Sequence, residues 1–274
     1  MRKIRLLITS LLLITATAKG QAATLTDYDF RSRTSIGMDW KISNGLHLDA
    51  GYELRTADKF SRIERNQFSI GVRYSPIRYL GIGAGYYFIG HYNNEMVLKP
   101  KHRLYFDLTG SYKFEGWKLS LRERIQMTHK SYDFNEYQQT PDLVELKSKL
   151  KLAYKGFIHL EPYIYVELRN CFNGPSFNAD YDETSGKYTN YEFIGYSDAY
   201  VNRLRGAIGV EWKINANHSI DFKIMSDWCK DKVIDTNAEG TKLKSYSWMR
   251  ALNTSLAIGH VFSFWRRPQS ISCL

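Results

Sequence analysis

The sequence is short of cysteine and, past its first twenty residues, has no long apolar run; each shortage removes a class of protein. Its three cysteines, Cys171, Cys229 and Cys273, are an odd number with no metal-ligand spacing, which argues against a disulfide framework or a zinc site. Cys171 and Cys229 both fall where strands run into longer polar stretches. Free thiols are the expected state, because nothing in the sequence places their Cβ atoms within bonding reach. The mean hydropathy is −0.42, and no segment after the N-terminal stretch supplies the ~20 apolar residues that a membrane helix requires. A helical membrane protein is therefore excluded. A membrane β-barrel is not, since half of each of its strands faces water.

The N-terminus carries a secretion pattern. Met1 to Arg5 is basic, Leu6 to Ala18 is apolar, and Ala18-Lys19-Gly20 offers small residues for cleavage. This predicts a signal peptide over residues 1–20, a short extension over 21–29 and no lipid anchor, because no cysteine lies near the cut. Removing Arg2, Lys3, Arg5 and Lys19 lowers the formal charge from +10 by four, to +6. The remaining basic residues are spread along the chain rather than gathered on one face, which argues against nucleic-acid binding.

What the sequence does contain, from Phe30 to Phe264, is one pattern repeated about eleven times: roughly ten residues alternating apolar and polar, then a break. In the first copy Phe30, Ile36, Met38, Trp40 and Ile42 share one parity, and Arg31, Arg33, Ser35, Asp39 and Lys41 the other. Successive strand residues point to opposite faces, so the pattern builds a sheet with one apolar and one charged side. The expected fold is all-β: a transmembrane antiparallel up-and-down β-barrel over residues 30–265, with apolar side chains outward, followed by a tail over 266–274. A soluble β-barrel or sandwich would put the apolar face inside. Ser43-Asn44-Gly45, Ser75-Pro76, Glu115-Gly116, Lys155-Gly156 and Asn215-Ala216-Asn217 read as tight periplasmic turns. Longer connections, above all a loop from Cys171 to Tyr200, would lie on the extracellular side. Trp40, Tyr74, Phe114, Trp117, Tyr154, Phe157, Trp212 and Phe264 sit beside the tight turns as one interfacial aromatic girdle. Tyr52, Phe88, Trp228 and Trp248 outline the other. The strand count is ten to twelve, with twelve favoured because bacterial barrels have even numbers.

By parity the lumen holds a charged network: Arg31, Arg33, Glu53, Arg55, Arg73, Arg122, Arg124, Glu145, Glu161, Glu167, Arg169, Arg203 and Arg205. Such side chains either pair across the lumen as a plug or line an anion-preferring pore, and small barrels tend to fill their interiors. Three glycines on the lumenal parity of the fourth strand, Gly81, Gly83 and Gly85, leave room for a large neighbour. Glu123 falls on the apolar parity without an evident reason. His129-Lys130-Ser131 is an H-x-S pattern of the kind seen in membrane-embedded lipid A deacylases, where His and Ser act as base and nucleophile; no orienting carboxylate is visible in the sequence. His47, His159 and Glu161 share no recognised metal spacing. The chain is read as having no catalytic residues, metal or cofactor.

Short motifs add a resemblance. They are Glu53 and Arg55 closing strand two, Arg122 and Arg124 in strand six, Glu167 within Tyr165-Val166-Glu167-Leu168, and Asn202-Arg203 with Gly206. Through these the chain resembles an uncharacterised family of Gram-negative outer-membrane barrels, the DUF2490 type, across nearly its whole mature length. It departs from that pattern at Lys147, Lys149 and Lys151, where arginine is expected, and in running on past Phe264-Trp265. The resemblance implies an outer-membrane location, with lipid, lipopolysaccharide and the barrel-assembly machinery as partners, and no assigned activity. The expected role is a small channel or an envelope structural component with a largely plugged lumen. The alternatives are a lipid-modifying enzyme using His129 and Ser131, or an adhesin or receptor acting through the 171–200 loop.

Overall fold

The computed structural model describes residues 27–265. The expected signal peptide, most of the N-terminal extension, the C-terminal tail and Cys273 lie outside them. The described residues form eleven strands: β1 (Asp27–Ser43), β2 (Leu46–Ala57), β3 (Arg62–Ile77), β4 (Leu80–Tyr92), β5 (Leu98–Phe114), β6 (Trp117–Lys130), β7 (Asp142–Tyr154), β8 (Leu160–Asp182), β9 (Lys187–Lys213), β10 (His218–Thr236) and β11 (Leu243–Trp265). Each pairs antiparallel with the next, and β1 pairs with β11 to close the barrel.

The closure resolves the strand count. Every hairpin reverses the chain, so an odd number of strands leaves the first and last running the same way. β1 and β11 pair in parallel, from Asp27 opposite Ala251 to Lys41 opposite Trp265. The favoured number, twelve, is therefore wrong by one. No strand is hidden in the loop, and the seam absorbs the odd count with a ladder that is slightly weaker per residue than its antiparallel neighbours.

The alternation builds the wall in the orientation that suits lipid outside. Met38, Phe68, Leu104 and Ile208 are 50%, 54%, 56% and 62% exposed on the outer surface. The largest fully buried side chains include Gln126, Glu145 and Asp227. A soluble β-barrel would show the reverse, so the polar residues here are the interior.

Tight turns gather at one end. Glu115 and Gly116 both have positive φ, 43° and 80°, the type I′ geometry that matches the twist of two-residue hairpins. Two turns lie a little beyond their sequence positions. β3 continues through Ser75-Pro76 to Ile77, and β8 begins only at Leu160. Ile158, read as the first outward residue of strand eight, is instead 89% exposed in the turn, and His159 lies there too rather than in the lumen.

The largest correction concerns residues 171–200. They are not a loop but the continuation of β8 and β9 past the barrel rim. β7 follows β8 only to Cys171, and β10 follows β9 only to Arg203. Beyond those points β8 and β9 form a two-stranded ribbon that turns at Asp182 to Lys187. At its tip the Asp182 carboxylate accepts Ser185 Oγ at 2.5 Å and the Thr184 amide at 2.9 Å, which holds its carboxyl below the usual range. A second ribbon, Lys230–Thr236 against Leu243–Arg250, rises beside it. Phe177 meets Tyr246 at 5.2 Å and Tyr200 meets Trp248 at 5.1 Å. Trp248 thus belongs to this aromatic seam between ribbons, under Lys230 at 4.2 Å, rather than to a separate girdle. Repeated register shifts between Arg169 and Asp180 break the period-two alternation, which explains the loop-like sequence.

Candidate functional site

The lumen is built from inward positions of every strand, and its charges are arranged around a few carboxylates. Asp227 on β10 is 2% exposed. It accepts Arg33 of β1 at 3.0 Å and Arg205 of β9 through both of its oxygens, with Arg203 at 3.6 Å. Glu167 on β8 meets Arg122 and Arg205, each at 3.4 Å. Glu145 on β7 meets Arg169 at 3.1 Å, and accepts Gln126 at 2.5 Å and Asn202 at 3.2 Å. Arg124 grips Asp107 through two bonds of 2.6 Å and reaches Tyr87 Oη at 2.9 Å. Near one rim Arg31 pairs with Asp29 and Glu64 at 2.6 and 3.0 Å, and Arg55 with Glu53. Near the tight turns Arg73 bridges Asp39 and Asp49 at 2.8 and 3.2 Å, while Glu161 is held by Lys155 and Lys213.

The structure thus places all thirteen residues of the charged network inside the barrel, but as several separate clusters. The key acceptors Asp227 and Asp107 were not among them. Inward parity was the only available sign of either, and which arginines surround each one depends on closure and register.

Several lumenal cations also meet an aromatic face, and for Lys149 and Lys151 it takes the place of a carboxylate. Lys149 stands 3.7 Å from the Tyr165 ring centroid, Lys151 3.7 Å from Tyr163, and Arg124 3.9 Å from Tyr105. Glycine makes the space for one of these rings. A Cβ at Gly71 would meet Tyr105 Oη at 2.5 Å, and one at Gly85 would meet the same hydroxyl and Tyr105 Cζ. Tyr105 therefore lies across the inner faces of β3 and β4, where Gly71 and Gly85 leave room; Gly83 is not in contact with the ring.

Between these clusters the lumen is hollow. A cavity of about 490 Å³ near the tight turns is lined by five Arg and Lys side chains against Asp49 and Asp107. A middle cavity of about 230 Å³ has nine such cations against Glu53 and Glu167. A third, about 240 Å³, has nine against Glu145, Glu167 and Asp231. Arg122 and Arg124 separate the first two; Arg55, Arg103, Lys147, Glu167 and Arg205 separate the second pair. The interior is a series of basic chambers divided by side chains.

On the outer surface, His129 Nδ1 lies 2.7 Å from Asp142 Oδ1. This supplies a carboxylate beside the H-x-S pattern, contributed by the next strand and so invisible as a linear motif. The girdle residues Trp40, Tyr74, Trp117, Trp212 and Phe264 are 39–46% exposed on the outer wall. Trp117 packs on Tyr154 at 4.9 Å, and Phe114 on Tyr112 at 6.1 Å. Glu123 also faces outward, accepting Ser148 Oγ at 2.5 Å. Cys171 and Cys229 are both free and buried. They belong to β8 and β10 with β9 between them, and two strand spacings of about 4.8 Å exceed the span of a disulfide. Among the described residues no three His, Cys, Asp or Glu side chains are grouped to hold a metal.

An apolar outer wall, a polar interior and a closed sheet define an all-β closed barrel with its polar face inward. The chain belongs to DUF2490, a family described as a protein of unknown function, which it matches over residues 30–237. No curated protein matches it.

Proposed function

We propose that the protein is an outer-membrane β-barrel whose basic lumen passes small anions. The observation that carries this reading is the run of three adjoining chambers, each with an excess of Arg and Lys over carboxylates. A low-dielectric wall around one sign of charge concentrates the opposite ion. The dividers are long side chains, most of them held in ion pairs, and passage from one chamber to the next requires them to turn aside. The apolar wall, the tight-turn girdle and the N-terminal secretion pattern support insertion in the outer membrane through the barrel-assembly machinery, with lipid and lipopolysaccharide against the wall. Proteoliposomes test this: the barrel admits iodide to an entrapped quenchable dye faster than protein-free vesicles do. Equal rates overturn the channel.

The His129–Asp142 contact favours a second reading, a lipid-modifying enzyme. Asp142 orients the imidazole, which takes the proton of Ser131 as that oxygen attacks a lipid ester carbonyl; the ester C–O bond breaks, the alcohol leaves with the proton from the imidazolium, and water then hydrolyses the acyl-serine to release the fatty acid. Overexpression of the wild type then changes the lipid A mass profile and His129→Ala does not. An unchanged profile with the wild type removes this reading.

A further inference from the structure

The third chamber differs from the other two in the number of cations it leaves without a counter-ion. Arg65 from β3, Lys101 and Arg103 from β5, and Lys147 from β7 all line it. Among the described residues none of the four forms an ion pair. The chamber's acids do not fill that role. Glu145 is engaged by Arg169 at 3.1 Å, and Glu167 by Arg122 and Arg205 at 3.4 Å. Asp231 is the one lining carboxylate outside an ion pair. Two lining guanidinium groups also keep a buried Nε without a hydrogen-bond partner, those of Arg65 and Arg203. Arg103 uses its Nε on Thr128 Oγ1 at 2.8 Å, which fixes the head of the side chain and leaves its terminal nitrogens free.

Buried charge that stays unpaired is costly, and buried donors normally find an acceptor. Here the donors converge from four strands around a space of about 240 Å³. That is below the size of a typical organic-ligand pocket and suits a compact ion. Guanidinium forks match phosphate oxygens in pairs, and lysines add point charge. Donors arriving from several sides suit a tetrahedral oxyanion better than a planar carboxylate.

We propose that this chamber is a binding station for a phosphate-class oxyanion, inorganic phosphate or a small phosphate ester, held by Arg65, Lys101, Arg103, Lys147 and Arg203. The station deepens the anion-channel reading and rests on it for its biological purpose, but binding itself needs no current. The barrel wall separates the chamber from lipid headgroups, so the ligand is a free solute.

The test is isothermal titration of the refolded full barrel in detergent with inorganic phosphate, in about 0.1 M chloride. The expected result is one saturable site with Kd below about 1 mM, weakened at least about tenfold by Lys147→Gln and by Arg65→Gln. Lys118→Gln, in the chamber near the tight turns, leaves it unchanged. Heat-modifiable mobility on gels checks that each variant is folded; where Arg65→Gln is not, Arg65→Lys replaces it and shows the same direction of change. Absence of saturable phosphate binding, equal binding of chloride, or binding indifferent to both chamber substitutions overturns the station. A barrel that conducts chloride without binding phosphate leaves the channel standing and removes the station; one that binds phosphate without conducting does the opposite.

Discussion

Arg33 in the first strand donates to Asp227 in the tenth at 3.0 Å, across a closing seam in which β11 lies between them. The contact ties the two ends of the sheet through the lumen, across a parallel ladder that is slightly weaker per residue than its antiparallel neighbours. Asp227 is also the shared acceptor for Arg203 and Arg205. Asp227→Asn keeps the shape but leaves Arg33 and Arg203 without their anion and Arg205 with Glu167 alone. We expect a loss of about 3–5 kcal/mol, the usual consequence of removing one partner from a buried ionic cluster. The urea midpoint for unfolding from vesicles measures it, and a change under about 1 kcal/mol would show that other groups hold the seam.

The parallel closure makes a prediction of its own. Thr34 lies opposite Ile258 in the β1–β11 register. In a chain with its own three cysteines replaced by serine, Thr34→Cys and Ile258→Cys form a cross-link under mild oxidation, seen as a mobility shift that reductant reverses. Shifting the second cysteine to Leu252, six residues along the same face, abolishes it. Cross-linking that ignores this shift contradicts the register.

Tyr105 and Gly85 form a second testable pair. A valine at position 85 occupies the space of the tyrosine ring and costs about 1–3 kcal/mol by overpacking. Adding Tyr105→Ala recovers part of that loss, because it removes the ring's share of the conflict and leaves only the close approach to the Ile70 carbonyl oxygen at 2.6 Å. Strictly additive losses in the double variant would mean that the ring and the glycine do not oppose each other.

Glu123 faces outward and accepts a hydrogen bond from Ser148 Oγ at 2.5 Å. If lipid covers this surface, Glu123→Leu stabilises the barrel by about 1 kcal/mol, since a carboxyl group in that environment is unfavourable. A destabilised Glu123→Leu variant would show that a polar partner covers this face.

Much of the wall was legible in the sequence because side-chain parity is a local property. Met38 and Phe68 outward, or Glu145 and Arg205 inward, follow from position within a strand. What parity does not carry is the identity of neighbours distant in sequence. The pairing of Asp27 with Ala251, the three arginines around Asp227, and Asp142 beside His129 arise from register and closure. The ribbon beyond Cys171 was unreadable for a different reason. Register shifts around Gly174 and Pro175 move side chains out of alternation, so paired backbone there carries a loop-like sequence. The lumen network was readable as a set of residues, but its hollow spaces were not, because volume depends on where each long side chain turns.

The central claim is that the basic chambers form a path for anions. Reversal potential across a planar bilayer under a KCl gradient tests it most directly. The account predicts a current that reverses close to the chloride equilibrium potential, and a shift toward the potassium potential when Lys147 and Lys149 are both replaced by glutamate. A silent bilayer at every voltage, or a wild-type current that reverses near the potassium potential, would contradict it.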